Sequence, residues 1–131
     1  MLAEVYVDGA SAGDPGLSGA GIYIKKDGEN VRHAIPLGSM SNHEAEYISL
    51  IKALEICLEQ GFTAVSVRTD SQLVEQAVLK RYVKKEKYQL LLQEVLKLAD
   101  QFSLFFIKWI PEKQNKVADD LARKAIRMNH V

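Results

Sequence analysis

Two aspartates follow directly on segments with the composition of short strands. Asp8 comes after the stretch 5–7, and Asp70 comes after the stretch 65–69. Acidic side chains normally lie on solvated faces, so acids at the ends of apolar segments are informative. Open α/β sheets place their sites at the carboxyl ends of strands. The two aspartates are therefore candidates for one shared site.

Two further acids border the apolar stripes of predicted helices. Glu46 shares a helical edge with Leu50 and Ala53, four and seven residues later. Asp119 lies beside Ala122 in the last predicted helix. Residues three or four apart are neighbours on one helical face, so both carboxylates lie next to the core rather than opposite it.

The chemistry available to these acids depends on whether they meet. Each one alone has an ordinary explanation, as a turn-forming aspartate or as a glutamate that favours a helix N-terminus. Four converging carboxylates would repel one another unless cations held them, and Mg²⁺ or Mn²⁺ prefers such oxygen ligands. The single Cys57 and the histidines at 33, 43 and 130 show no zinc-ligand spacing.

Composition narrows the class of protein. The chain has 131 residues, 47% of them hydrophobic and 26% charged, which predicts one soluble globular domain over residues 1–131. Seventeen basic and seventeen acidic residues cancel, so binding to a polyanion requires local patches. No apolar run reaches the roughly 20 residues of a membrane span. The start at Met1 lacks a signal-peptide pattern, and Cys57 fits a reduced core thiol, so we expect a cytoplasmic protein.

The pattern of apolar residues and breakers predicts nine elements. A strand at 3–8 ends at the breaker cluster 9–19, and Asp27-Gly28 forms a hairpin turn between two more strands. Asn42 is the predicted cap of the first helix, and Gly61 ends it. The predicted strands are 3–8, 21–26, 31–37, 64–69 and 104–110, and the predicted helices are 42–60, 71–79, 88–100 and 115–127. The order βββαβααβα predicts an α/β fold with a five-stranded mixed sheet and helices on its faces.

Four sequence blocks, in this order and spacing, resemble type 1 ribonucleases H across nearly the whole chain. They are YVDGAS at 6–11 with GDPG at 13–16 and GAG at 19–21, SNHEAEY at 41–47, TDSQL at 69–73, and NKVADDLA at 115–122. The resemblance implies a ribonuclease H-like fold. It also implies an endonuclease that hydrolyses the RNA strand of RNA/DNA hybrids.

Site residues follow from that resemblance. It assigns Asp8, Glu46, Asp70 and Asp119 as the catalytic carboxylates and as ligands of two Mg²⁺ ions, with Mn²⁺ as a substitute. Asp8 would bridge both ions, Asp119 would hold the nucleophile-side ion, and the other two the leaving-group-side ion. Products would carry 5′-phosphate and 3′-hydroxyl ends. We expect a monomer whose partner is the hybrid, with no membrane contact.

The resemblance also implies a set of substrate contacts. These are Gly9, Ala10, Asp14, Asn42, His43 and Gln72. Recognition of RNA requires a contact to the 2′-hydroxyl in the minor groove. Asn42 has a second interpretation as the helix cap, Gln72 as a solvated polar residue, and His43 as a plain surface histidine.

Several departures from the family pattern leave alternatives open. Asp14 replaces a common asparagine and His43 another, and a carboxylate cannot donate a hydrogen bond. The loop at 111–115 lacks a histidine that many members carry, as in the short forms of the family. The basic segment with which some bacterial members hold the hybrid is also reduced. Two interpretations remain for the basic residues in this region, a remnant of that segment or a solvated connection between helices: Lys80, Arg81, Lys84, Lys85 and Lys87. Two alternatives to an active ribonuclease H remain: a hybrid-binding protein with weak or no activity, and a nuclease with another nucleic-acid substrate. The retention of all four carboxylates favours the ribonuclease H.

Overall fold

The computed structural model describes residues 2–129. Met1, His130 and Val131 lie outside the described residues, together with the predictions that fall on them. The elements appear in the predicted order. They are β1 (Ala3–Ser11), β2 (Gly16–Lys26), β3 (Glu29–Met40), α1 (Asn42–Glu59), β4 (Ala64–Thr69), α2 (Gln72–Lys80), α3 (Glu86–Ala99), β5 (Leu104–Trp109) and α4 (Lys116–Arg127), with a 3₁₀ turn at Glu112–Gln114 before α4.

The five strands form one mixed sheet in the order β3-β2-β1-β4-β5. β1, β2 and β3 pair antiparallel, whereas β1 pairs parallel with β4, and β4 with β5. The predicted hairpin turn is confirmed, with Asp27 at φ 52° and Gly28 at φ 80°. Positive φ at both central residues is typical of the tight turns that connect twisted antiparallel strands. The predicted five-stranded mixed sheet is confirmed.

The segment 9–19, predicted as a breaker cluster, is largely strand. β1 continues to Ser11 and β2 begins at Gly16, with Gly9 opposite Ala20 and Ala10 opposite Gly19. The prediction was wrong because glycine indicates a turn only where the chain does not need it for another purpose, such as the close approach of a helix to a strand. Here the hydrogen bonds between β1 and β2 satisfy the backbone groups. The absence of a side chain at Gly9 and Gly19 leaves space for the first and the last helix.

The first helix is capped by Ser41 rather than by Asn42. The Ser41 hydroxyl oxygen accepts from the Glu44 amide at 3.2 Å, and Glu44 Oε1 accepts from the Ser41 amide at 3.1 Å. This capping box satisfies two amides reciprocally, so Asn42 is already inside the helix with its side chain exposed. The predicted capping role of Asn42 is therefore wrong.

Two layers of helices cover the sheet. The core lies between one face of the sheet and α1, α2 and α3, and it includes Val5, Leu50, Leu54 and Val95. On the opposite face, which we call the outer face, α4 packs against β1, β2 and β3 through small side chains such as Ala122.

Cys57 is buried in this core, and burial raises the pKa of its thiol to about 12. That value keeps the sulfur protonated and unreactive near neutral pH, as expected for a core thiol. Among residues 2–129, no helix combines the length and the apolar character that crossing a bilayer requires.

Candidate active site

Three carboxylates from three elements meet at one end of the sheet. Asp8 lies in β1, Asp70 directly follows β4, and Glu46 lies in α1. One carboxylate oxygen of each lies within 4.8 Å of the corresponding oxygens of the other two. The sequence predicted each position, and the tertiary structure brings these three together.

Close approach of two helices to the sheet places the acids. A Cβ at Gly9 would overlap the carbonyl oxygen of Ala45, so only glycine lets α1 lie this close to β1. A Cβ at Gly21 would likewise overlap the carbonyl oxygen of Ala118 in α4. Glu46 follows Ala45 directly, so the contact at Gly9 fixes the distance between Glu46 and Asp8.

Asp119 approaches Asp8 from α4, outside the group of three. Its negative charge is among the causes that raise the pKa of Asp8. Arg123, one helical turn later, holds the Asp119 carboxylate with Nη2 at 3.1 Å from Oδ2. The Arg123 side chain is 62% exposed, so this is an ion pair at the edge of the site. Of the two neighbouring aspartates in α4, Asp120 is the exposed one.

The site holds negative charge at a high electrostatic cost. Asp8 is 9% exposed, and burial first, then the charges of Asp70 and Asp119, raise its pKa to about 9. The pKa values of Glu46 and Asp70 are also raised, in both cases mainly by burial. Buried carboxylates this close together are stable as anions only beside cations. Oxygen ligands in this number fit Mg²⁺ or Mn²⁺.

Asn115 joins three of the acid-bearing segments, a role that the sequence analysis missed. Its Nδ2 donates to the Val7 carbonyl oxygen at 2.9 Å and to Asp70 Oδ2 at 3.3 Å. Its backbone carbonyl accepts from the Asp119 amide at 3.0 Å. The side chain is 1% exposed, and the hydrogen bond to Asp70 partly offsets the raised pKa of that carboxyl. Its position four residues before Asp119 was the available signal.

Other side chains support the acids more peripherally. The Trp109 indole nitrogen donates to the Asp70 carbonyl oxygen at 3.1 Å. His43 Nδ1 lies 3.6 Å from Glu46 Oε2, and the His43 ring meets the Tyr88 ring edge-on at 6.2 Å. The histidine is therefore adjacent to Glu46, with its side chain 44% exposed.

The predicted substrate contacts lie on the segments that flank the carboxylates. Asn42 and His43 occupy the first turn of α1, Gln72 begins α2, and Gly9 and Ala10 follow Asp8 in β1. Asn42, Gln72 and Asp14 are exposed, His43 and Ala10 are half-buried, and Gly9 is buried against α1. Gly9 can thus offer only its backbone.

The turn that contains Asp14 is tied to the entrance of α1. The Ser11 hydroxyl donates to the Met40 carbonyl oxygen at 2.9 Å, and the Ser18 hydroxyl donates to the same oxygen at 3.3 Å. The Asp14 turn and the Asn42 helix start therefore lie on the same side of the site.

The fold and the carboxylate group define the chain as an α/β protein of the ribonuclease H-like class. Residues 6–125 match the family described as Reverse transcriptase-like. The N-terminal RNase H domain of Rv2228c from Mycobacterium tuberculosis superposes with a TM-score of 0.89 at 30% identity, over 96% of this chain and 99% of that one. LC11-RNase H1 in complex with an RNA/DNA hybrid gives 0.88 at 28% identity, over 96% and 97%.

Sequence relatives agree with the structural neighbours. The chain is 44% identical to the putative hydrolase EbsB of Enterococcus faecalis, over 96% of this chain and 95% of that protein. It is 34% identical to ribonuclease HI of Halobacterium salinarum, over 94% of this chain and 63% of that longer protein. The chain belongs to the ribonuclease H type 1 family.

Proposed function

We propose that this protein is a metal-dependent endonuclease that hydrolyses the RNA strand of RNA/DNA hybrids. The observation that carries the proposal is the group formed by Asp8, Glu46 and Asp70, whose oxygens lie within 4.8 Å of one another. The relation to LC11-RNase H1, solved with an RNA/DNA hybrid, supports the choice of substrate.

The four acids would act together as ligands of the cations. Asp8 is the central ligand, because it is the most buried and the most strongly affected by its acidic neighbours. Bound Mg²⁺ or Mn²⁺ ions would supply an activated water and would stabilise the leaving 3′ oxygen, so that the products would carry 5′-phosphate and 3′-hydroxyl ends. Asn115 donates to the Asp70 carboxylate, and Arg123 pairs with the Asp119 carboxylate. Such supporting hydrogen bonds orient ligands and set their basicity.

Selection of RNA over DNA is assigned to exposed amides beside the acids. Asn42 and Gln72 lie at the starts of α1 and α2, with Asn42 four residues before Glu46 and Gln72 two residues after Asp70. Each side-chain amide carries a donor and an acceptor, which matches the 2′-hydroxyl of RNA. His43, beside Glu46, lies where it can contact the same strand.

The test is cleavage of a labelled RNA/DNA hybrid in Mg²⁺ and in Mn²⁺. Asp8→Asn removes the central ligand, and Asp120→Asn makes the same chemical change at an exposed position in α4. We expect cleavage of only the RNA strand of the hybrid, its loss in the first variant and its retention in the second. Single-stranded RNA, double-stranded RNA and double-stranded DNA are the substrate controls.

A hybrid-binding protein with weak or no turnover is the second candidate, and exposed Asp14 favours it. A carboxylate in the turn beside the site repels the phosphates of the substrate and donates no hydrogen bond to them. Binding of the hybrid by folded protein without cleavage in either metal would establish this candidate and contradict the enzyme.

A further inference from the structure

The outer face of the sheet carries a row of cations and tyrosines below the catalytic acids. The registers place five side chains side by side, one from each strand. From β5 to β3 they are Lys108, Arg68, Tyr6, Tyr23 and Arg32, and we call them the cation–tyrosine row. At about 4.8 Å between strands the row is about 19 Å long.

The side chains of the row contact one another. The Tyr6 and Tyr23 rings lie 5.7 Å apart between centroids. The Arg68 guanidinium lies 5.4 Å from the Tyr6 ring and that of Arg32 lies 5.0 Å from the Tyr23 ring. The row is a continuous surface of aromatic rings and planar guanidinium groups.

Several cations lie in the row or beside it, and Glu4 is an acidic neighbour of two of them, Lys25 and Arg68. Five of them, within residues 2–129, form no ion pair: Lys25, Arg32, Lys108, Lys113 and Lys116. Arg68 is paired with Glu4. Because the whole chain has no net charge, this collection is a local positive patch on a neutral protein. A positive patch of this kind binds polyanions.

A cavity and an exposed ring extend the patch. Tyr6, Tyr23, Lys25, Lys113 and Lys116 are among the residues that line a cavity of about 230 Å³, between the sheet and the start of α4. Phe106, in the neighbouring row of β5, is 52% exposed. Aromatic and cationic groups therefore lie side by side on the part of the outer face next to the start of α4.

We propose that this outer face binds a single-stranded nucleic-acid segment. Phosphates lie against the lysines and Arg32, and bases pack on the rings and guanidinium planes, including Phe106. Open sheets with aromatic side chains on neighbouring strands hold single-stranded bases in this way. An acidic peptide would satisfy the lysines and leave the rings without partners. The inference goes beyond hybrid cleavage and does not require the chain to be catalytic.

The test measures binding of fluorescein-labelled U₁₂ and dT₁₂ by anisotropy in EDTA, so that no cleavage takes place. Lys25→Glu/Lys108→Glu reverses two charges of the patch, and Phe106→Ala removes an exposed ring. Lys52→Glu/Lys97→Glu is the control, with the same charge change on α1 and α3, across the sheet. Circular dichroism establishes that each variant is folded.

We expect the first variant to lose at least tenfold in affinity. Its slope of log affinity against log salt should be smaller in magnitude by about 1.4, because two phosphate contacts are lost. Phe106→Ala should lose about fivefold or more, and the control should bind like the wild type. Absence of single-strand binding by wild-type protein, or equal losses in the patch and control variants, would overturn the proposal. The first of these outcomes would leave an acidic protein as the better occupant.

Discussion

The repulsion and burial of the carboxylates lower the free energy of unfolding of the metal-free protein, and Asp8→Asn measures by how much. The pKa of Asp8 rises from an ordinary 3.8 to about 9 in the folded state. The folded state therefore binds more protons than the unfolded state between these values, so stability falls as pH rises through this range. The loss is about 1.4 kcal/mol per pH unit, which amounts to at most about 4 kcal/mol at pH 7.

Asparagine cannot ionise, so the variant avoids this loss. Its amide can also donate to the neighbouring carboxylate of Asp70. We expect Asp8→Asn to raise the free energy of unfolding at pH 7 by about 1–4 kcal/mol. The melting temperature should rise by several degrees, at about 3 °C per kcal/mol for a domain of this size. The gain should be smallest at pH 5 and increase toward pH 8.

Thermal and urea unfolding in EDTA at pH 5, 7 and 8 provide the measurement. Asp120→Asn, exposed on α4, is the control and should change stability by less than about 0.5 kcal/mol. Added Mg²⁺ should stabilise the wild type and stabilise Asp8→Asn much less, because ligand binding to the folded state adds to its stability. A destabilised Asp8→Asn, or a gain that does not depend on pH, would refute the electrostatic reasoning.

Three further perturbations address the groups around the acids. Asn115→Ala should lower kcat on the hybrid by about 10–100-fold with a smaller change in KM, because the Asp70 carboxylate loses its hydrogen bond from Asn115. Steady-state kinetics provide the measurement, and a rise in KM alone would contradict this expectation. Asp14→Asn should lower the dissociation constant for hybrid in EDTA without changing the fold, and unchanged binding would remove Asp14 from the substrate surface. Gly9→Ala should lose about 3 kcal/mol or more of stability in urea unfolding, because its Cβ overlaps the Ala45 carbonyl; a loss under 1 kcal/mol would show that α1 can move away.

Local sequence features predicted most of the elements correctly. The strand at 64–69 and the order of all nine elements follow from periodicity, composition and turn residues, which act over a few neighbours. The errors fall where two local signals compete. Ser41 and Asn42 are both good caps, and the Glu44 side chain decides for Ser41. The glycines at 9–19 signal a turn by composition. Gly13 and Gly16 do lie at a turn, whereas Gly9 and Gly19 lie within the strand ladder and leave space for α1 and α4.

The sequence by itself determined which acids could act together. The placement of Asp70 at a strand end and of Glu46 at a helical edge, with the family resemblance of the blocks that contain the acids, was readable from the printed chain. Asp8 was also expected at a strand end, but β1 continues three residues beyond it. Tertiary structure decided that three of the carboxylates meet and that burial and mutual repulsion raise the pKa of Asp8 to about 9.

The contacts between residues that are distant in sequence also depended on the tertiary structure. Asn115 reaches the Val7 carbonyl across 108 residues of chain, and the cation–tyrosine row draws one side chain from each of five strands. Periodicity fixes the face on which a residue lies within its own strand or helix. The register between strands that are distant in sequence depends on how the whole core packs, and no local pattern contains it.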